Sequence, residues 1–172
     1  MEKLIFRLIL AGLFFFPAFK LPAQVTAVGH ITAEVVTSLT ATETAPLSFG
    51  QFSPESSGGQ IVLTPQGITS STGTVNVVGG MHNAGSFSVN GEPNAVVSIQ
   101  LPSVPSTLTN LSTSGTMTVT SWISDPPQQG STTIPATGAR AVKVGATLIV
   151  GTIHNNPIGM YSGTFNITFN YN

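Results

Sequence analysis

Catalytic or metal-binding chemistry in this chain would have to be built from three histidines, His30, His82 and His154, and one aspartate, Asp125. A zinc site needs three or four converging ligands, and no histidine has another His, Asp or Cys two to four residues away. Glu34 follows His30 by four residues, a spacing that aligns side chains on a helix and not on an extended strand. This stretch reads as strand. A Ser-His-Asp triad would depend on Asp125, which sits in a proline-rich stretch, and the chain has no Gly-x-Ser-x-Gly turn to present the serine. The acids are too scattered to pair for glycoside hydrolysis or to cluster in a calcium loop. There is no Walker-type phosphate loop. These residues read as non-enzymatic, with no cofactor and no metal.

The one tryptophan offers a different chemistry. In the run 116–123, Met117, Val119 and Ile123 share a face by alternation, which leaves Trp122 with Thr118 and Thr120. Placed there, Trp122 is a surface aromatic that can stack on a sugar or anchor a protein contact. A β-bulge would instead turn it into the core.

The composition narrows the rest. Charged residues are 6% of the 172 and hydrophobic ones 41%. That is too little charge to solvate helices and too much apolar surface for disorder. The first residues differ in kind: Lys3 and Arg7, then an apolar run from Leu8 to Phe19, then Leu21-Pro22-Ala23. This pattern predicts a secretory signal peptide over residues 1–23, cleaved before Gln24. An apolar run of 12 residues is short of the roughly 20 needed to span a bilayer. The remainder, 24–172, keeps two bases against five acids, a net charge of −3. Nothing in it resembles a basic phosphate-binding patch, which disfavours nucleic acid. With no cysteine, the exported chain must be stabilised by burial without disulfides.

The elements that position these residues read as strands. Apolar-polar alternation or β-rich runs fall near 25–36, 46–52, 60–64, 73–78, 84–90, 94–101, 115–124, 140–150 and 160–171, separated by Gly, Pro and Ser breaks. Ala95, Val97, Ile99 and Leu101 share one face, as do Val142, Val144, Ala146, Leu148 and Val150. The last run is the clearest: Tyr161, Gly163, Phe165, Ile167, Phe169 and Tyr171 alternate with polar residues. One dry and one wet face marks antiparallel sheets. About eight or nine such strands predict a single all-β domain over 24–172, an immunoglobulin-like antiparallel β-sandwich.

Several segments carry a family resemblance: Leu47-Ser48-Phe49-Gly50, Ala84-Gly85-Ser86-Phe87-Ser88-Val89-Asn90-Gly91, Val97 to Pro102, Thr116 to Val119, Val144 to Leu148, and Gly159 to Phe165 with the ending Tyr171-Asn172. In this order they resemble the bacterial secreted family catalogued as domain of unknown function 4402. That family is similar to the spore-coat-protein-U-like subunits of archaic chaperone–usher pili. The resemblance implies a sandwich lacking one strand, which a periplasmic chaperone supplies first and the N-terminal strand of an identical or related subunit supplies after passage through an usher. It also implies a chaperone-recognised end with a penultimate aromatic, here Tyr171, and a glycine fourteenth from the end, here Gly159. Tyr161, Phe165, Ile167 and Phe169 supply the alternating apolar residues. The donor would be residues 24–36, where Val25, Ala27 and Ile31 share a face. It is short if the first core strand begins near Ile31 and long enough if that strand begins near Leu47.

Two functions follow as expectations. The first is a non-catalytic pilus or surface-fibre subunit that assembles by strand complementation, exported to the periplasm, cell surface or medium. The second is a self-complete secreted sandwich that serves as a binding or adhesion module. Neither has an integral membrane span after signal cleavage.

Overall fold

A computed structural model of the chain describes residues 24–128 and 130–172. The expected signal peptide, 1–23, lies outside the described residues. The chain divides into a unit ending at Glu34 and a larger one, Val35–Asn172. In the first, residues 24–34 are exposed and form no helix or strand.

Val35–Asn172 holds eleven strands among the described residues: β1 (Thr40–Ala45), β2 (Ser48–Leu63), β3 (Thr69–Asn83), β4 (Gly85–Asn90), β5 (Val96–Gln100), β6 (Ser106–Asn110), β7 (Thr116–Asp125), β8 (Ser131–Thr133), β9 (Ala139–Val150), β10 (Tyr161–Ser162) and β11 (Thr168–Tyr171). One sheet runs β1-β4-β9-β7-β6-β10, with β2 also on β9 and β3 on β2; the other runs β11-β5-β8. Every pairing is antiparallel. The fold is the expected all-β antiparallel sandwich.

The strand β9 is the spine. Its first half pairs with β4 and its second with β2, while β7 lies along its other edge. The alternating set Val142, Val144, Ala146, Leu148 and Val150 is buried throughout. Gly145 sits where β2 leaves β9: a Cβ there would lie 2.2 Å from the Leu63 carbonyl oxygen, so only glycine lets the two backbones approach. Ile61, Leu63, Val89, Val97, Val119, Ile134, Val142, Val144 and Leu148 are almost fully enclosed, each contributing about 1.5–3 kcal/mol on burial.

Three expectations are corrected. Residues 25–36 are not a strand, and the first strand is β1. The stretch 125–138, left as a break between the expected strands at 115–124 and 140–150, contains β8 and the buried Ile134, whose backbone bonds to Asn94 and Ala95 and prolongs the second sheet. The last run is not one strand: residues 163–167 carry no strand between β10 in the first sheet and β11 in the second.

Candidate functional site: the open edge of the last strand

The C-terminal run alternates because it lies against the core. Phe165, Ile167, Phe169 and Tyr171 all pack on that core, yet each stays half-buried. β11 pairs with β5 through Thr168↔Gln100 to Tyr171↔Val97. Its other edge has no strand partner among the described residues.

β1 stands across from that edge. An added Cβ on Gly91 would touch both Tyr171 Oη (2.5 Å) and Leu39 Cδ1 (2.9 Å), and one on Gly85 would reach Leu47 Cβ (3.3 Å) and Phe165 Cζ (3.7 Å). Leu39, just before β1, therefore neighbours the Tyr171 end of the run, and Leu47, just after it, neighbours the Phe165 end. The two segments flank each other in opposite directions. Between them lies Phe87 of β4, edge-on to Phe165 (centroids 6.0 Å apart, 87°) and tilted against Phe169 (6.5 Å, 57°). Register pairs Ala41 with Val89 and Glu43 with Phe87. Paired residues share a face, so Ala41 and Glu43 point inward, and both are exposed. The inner face of β1 is uncovered. The result is a slot with β1 and β11 as walls and half-buried aromatics beneath.

The penultimate residue has work inside the chain. The Glu92 backbone N–H donates to Tyr171 Oη (2.7 Å), and the Tyr171 hydroxyl donates to the Thr37 carbonyl oxygen (2.8 Å). Thr37 closes the ring by donating its hydroxyl (2.5 Å) and its N–H (3.2 Å) to Glu92 Oε2. The Thr37 hydroxyl first, then its N–H, hold the Glu92 carboxyl below its usual range against a small opposing effect of desolvation. This clasp ties Thr37, ahead of β1, to Glu92 and Tyr171.

The expected site residues fall into separate groups. Phe165, Ile167, Phe169 and Tyr171 line the slot. Gly159 and Tyr161 sit apart, where β10 meets β6. Tyr161 donates its hydroxyl to the Pro157 carbonyl (2.8 Å). Gly159 has φ +153°, and a Cβ there would lie 2.5 Å from Asn110 Nδ2, so its own loop requires glycine. Val25, Ala27 and Ile31 are exposed. Sequence reasoning missed Leu39, Thr37 and Glu92 altogether. Phe87 lay within a quoted motif, but nothing there marked it as the floor of a slot.

Of the two readings of Trp122, the surface aromatic is corrected and the β-bulge that turns it into the core is the one found. Register between β7 and β9 slips between Thr120 and Ile123, and Ser121 adopts φ +51°. That bulge reverses the faces: Trp122 is 9% exposed and Ile123 42%. The indole stacks on Phe165 with centroids 4.5 Å apart, and its Nε1 is buried with no hydrogen-bond partner.

His30, His82 and His154 are exposed, and among the described residues no three His, Cys, Asp or Glu side chains gather to hold a metal. No helix among the described residues is long and apolar enough to cross a membrane.

Comparison with known proteins gives one result. No curated protein and no solved structure matches the chain. A family model, Domain of unknown function (DUF4402), matches residues 39–171, from the residue before β1 to the clasp tyrosine. The sandwich described above, slot included, is thus coextensive with that match, and the chain belongs to the DUF4402 family.

Proposed function

We propose that this chain is an exported, non-enzymatic structural subunit whose slot is filled by the N-terminal segment of another copy. One observation carries the reading: β11 has a single paired edge, beside a row of half-buried apolar side chains, opposite a β1 whose inner face is bare. An incoming strand would satisfy the free backbone groups and cover the aromatics together. Burying four or five apolar side chains contributes roughly 6–15 kcal/mol as an upper bound.

The segment before the clasp supports a donor of sufficient length. Strand β1 begins at Thr40, so residues 24–36 lie outside the sandwich strands. Extended, they reach about 43 Å at about 3.3 Å per residue, and Val25, Ala27, Gly29, Ile31 and Ala33 share a face. Export by the N-terminal signal, a periplasmic chaperone and an usher complete the proposal.

The second reading, a self-complete binding module, draws support from the clasp and from a core with nine almost fully enclosed side chains. Its sugar-stacking version through Trp122 has lost its basis.

A peptide of residues 24–36 added to mature protein lacking 24–33 separates the two. The subunit reading predicts a complex that survives SDS unheated and dissociates on boiling, and no assembly in cells by the shortened chain. A peptide that does not bind, with full-length protein running as an unheated monomer, leaves the self-complete module.

A further inference from the structure

Strand β1 is an edge of the larger sheet and pairs only with β4 among the described residues. An open edge invites stray strands, and an inward-pointing charge is one of the devices that blocks them. Glu43 is such a charge. It stands opposite Phe87 in the register, which turns it toward the face that Phe87 presents to Phe165 and Phe169. No other formal charge occurs on β1, β4, residues 163–167 or β11. Glu43 is exposed, so water reaches its carboxylate. A strand laid along the slot ends that access.

The segment offered by another copy supplies no partner in exchange. Its inward face would be Val25, Ala27, Gly29, Ile31 and Ala33, which leaves its titratable groups, His30 and Glu34, on the opposite face. The packed elements supply none either. β4 presents Phe87 and Val89, and the C-terminal run presents Phe165, Ile167, Phe169 and Tyr171, whose hydroxyl is held in the clasp. Glu92, beyond β4, is engaged by Thr37. On β9, Lys143 stands opposite Ser86, on the outer face. Arg140 does share the inner face, opposite Val89, but it lies two strands across from β1 and one same-face position along. Strand spacings put about 12 Å between the two backbones, with Phe87 and Val89 between them. A carboxylate that loses water without gaining a cation is driven toward its neutral form, by up to about 3–5 units for full burial.

We propose that Glu43 decides what the slot accepts, so that a strand apolar at every inward position enters with uptake of one proton by Glu43. The proposal rests on the subunit reading above. Filling is then strong where the carboxyl is protonated in the filled slot, and it weakens as pH rises through that range. Near neutrality the charge guards the edge against apolar strands at large.

The test is the fluorescence anisotropy of a rhodamine-labelled peptide of residues 24–36, titrated with the mature chain at pH 7.5 and pH 5. The peptide has capped ends and carries His30→Asn and Glu34→Gln, so that it contributes no titratable group. Binding roughly three- to twentyfold tighter at pH 5 is expected, the change for a carboxyl lifted by about one to two units. Glu43→Gln should bind about tenfold or more tighter than wild type at pH 7.5, with no difference between the two pH values and an unchanged melting midpoint. Equal binding by wild type at both pH values, as would follow if Arg140 reached Glu43 in the filled slot, overturns the proposal. So does a Glu43→Gln chain that binds no tighter than wild type at pH 7.5 or keeps the pH dependence. Those outcomes leave the slot itself standing. A peptide bound by neither chain at either pH removes the slot, and the role of Glu43 with it.

Discussion

Replacing Trp122 by alanine tests the bulge that carries it inward. The side chain is 9% exposed and stacked on Phe165 at 4.5 Å, so its removal leaves a cavity and strips Phe165 of its stacked ring. Such truncations cost about 3–5 kcal/mol. Phenylalanine at the same place should cost much less. It keeps one ring against Phe165, and it removes an N–H that is buried without an acceptor, a group whose isolation costs about 1–3 kcal/mol. The loss for Trp122→Phe is therefore expected below about half of that for Trp122→Ala. Urea unfolding followed by far-ultraviolet circular dichroism reads both, since the only tryptophan fluorophore is gone. With a slope near 2 kcal/mol/M, the midpoint of Trp122→Ala should fall by roughly 2 M. A change within about 0.5 kcal/mol, the usual range for surface positions, would refute the reasoning and return Trp122 to the surface. Equal losses in the two variants would refute the account of the indole nitrogen.

The clasp and the C-terminal glycine yield two more predictions. The Thr37 hydroxyl and then its N–H hold the Glu92 carboxyl below the usual carboxylate range, so its contribution is present above that range and is lost as pH falls through the lowered value. Wild type should melt above Glu92→Gln near neutral pH, and the gap should close in acid; a gap constant down to pH ~2 would separate the clasp from the charge of Glu92. Gly159→Ala forces a side chain into φ +153° and against Asn110, a strain of about 1–3 kcal/mol. The purified protein should melt lower with no chaperone present. An unchanged melt with assembly lost in cells would assign Gly159 to recognition instead.

What was legible in the sequence follows from where each side chain's partner lies. β9 was plain because Val142 to Val150 bury against their own chain. β1 was invisible: Thr40–Ala45 is exposed except at Ala45, so no apolar row announces it, and it is a strand because β4 offers a ladder. The segment 25–36 shows the converse, a real alternation that pairs with no strand among the described residues. Alternation reports a face that can be buried and does not say which molecule buries it. The bulge that reverses Trp122 was open in the sequence, but its place was not marked, since a serine at position 121 gives no sign of a positive φ. Residues 163–167 alternate as cleanly as β11, yet they spend their length crossing from one sheet to the other.

The clasp also bears on whose segment could fill the slot. Thr37 is tied to Tyr171, and β1 then runs from the Tyr171 end toward the Phe165 end. A chain filling its own slot would have to arrive at Thr37 from the Phe165 end. Its segment would then run in the same direction as β11, making a parallel pair in a protein whose every observed pair is antiparallel. It would also have to reverse sharply across residues 37–39 to enter β1. A segment from a second copy has neither constraint. It can lie antiparallel to β11, the pairing that is slightly more stable per residue, and leave the slot at the Phe165 end toward its own body. On the proposed function, exchange between chains is therefore expected ahead of closure within one. The two differ in their response to dilution, which separates one chain from another and leaves a segment tethered to its own sandwich unaffected.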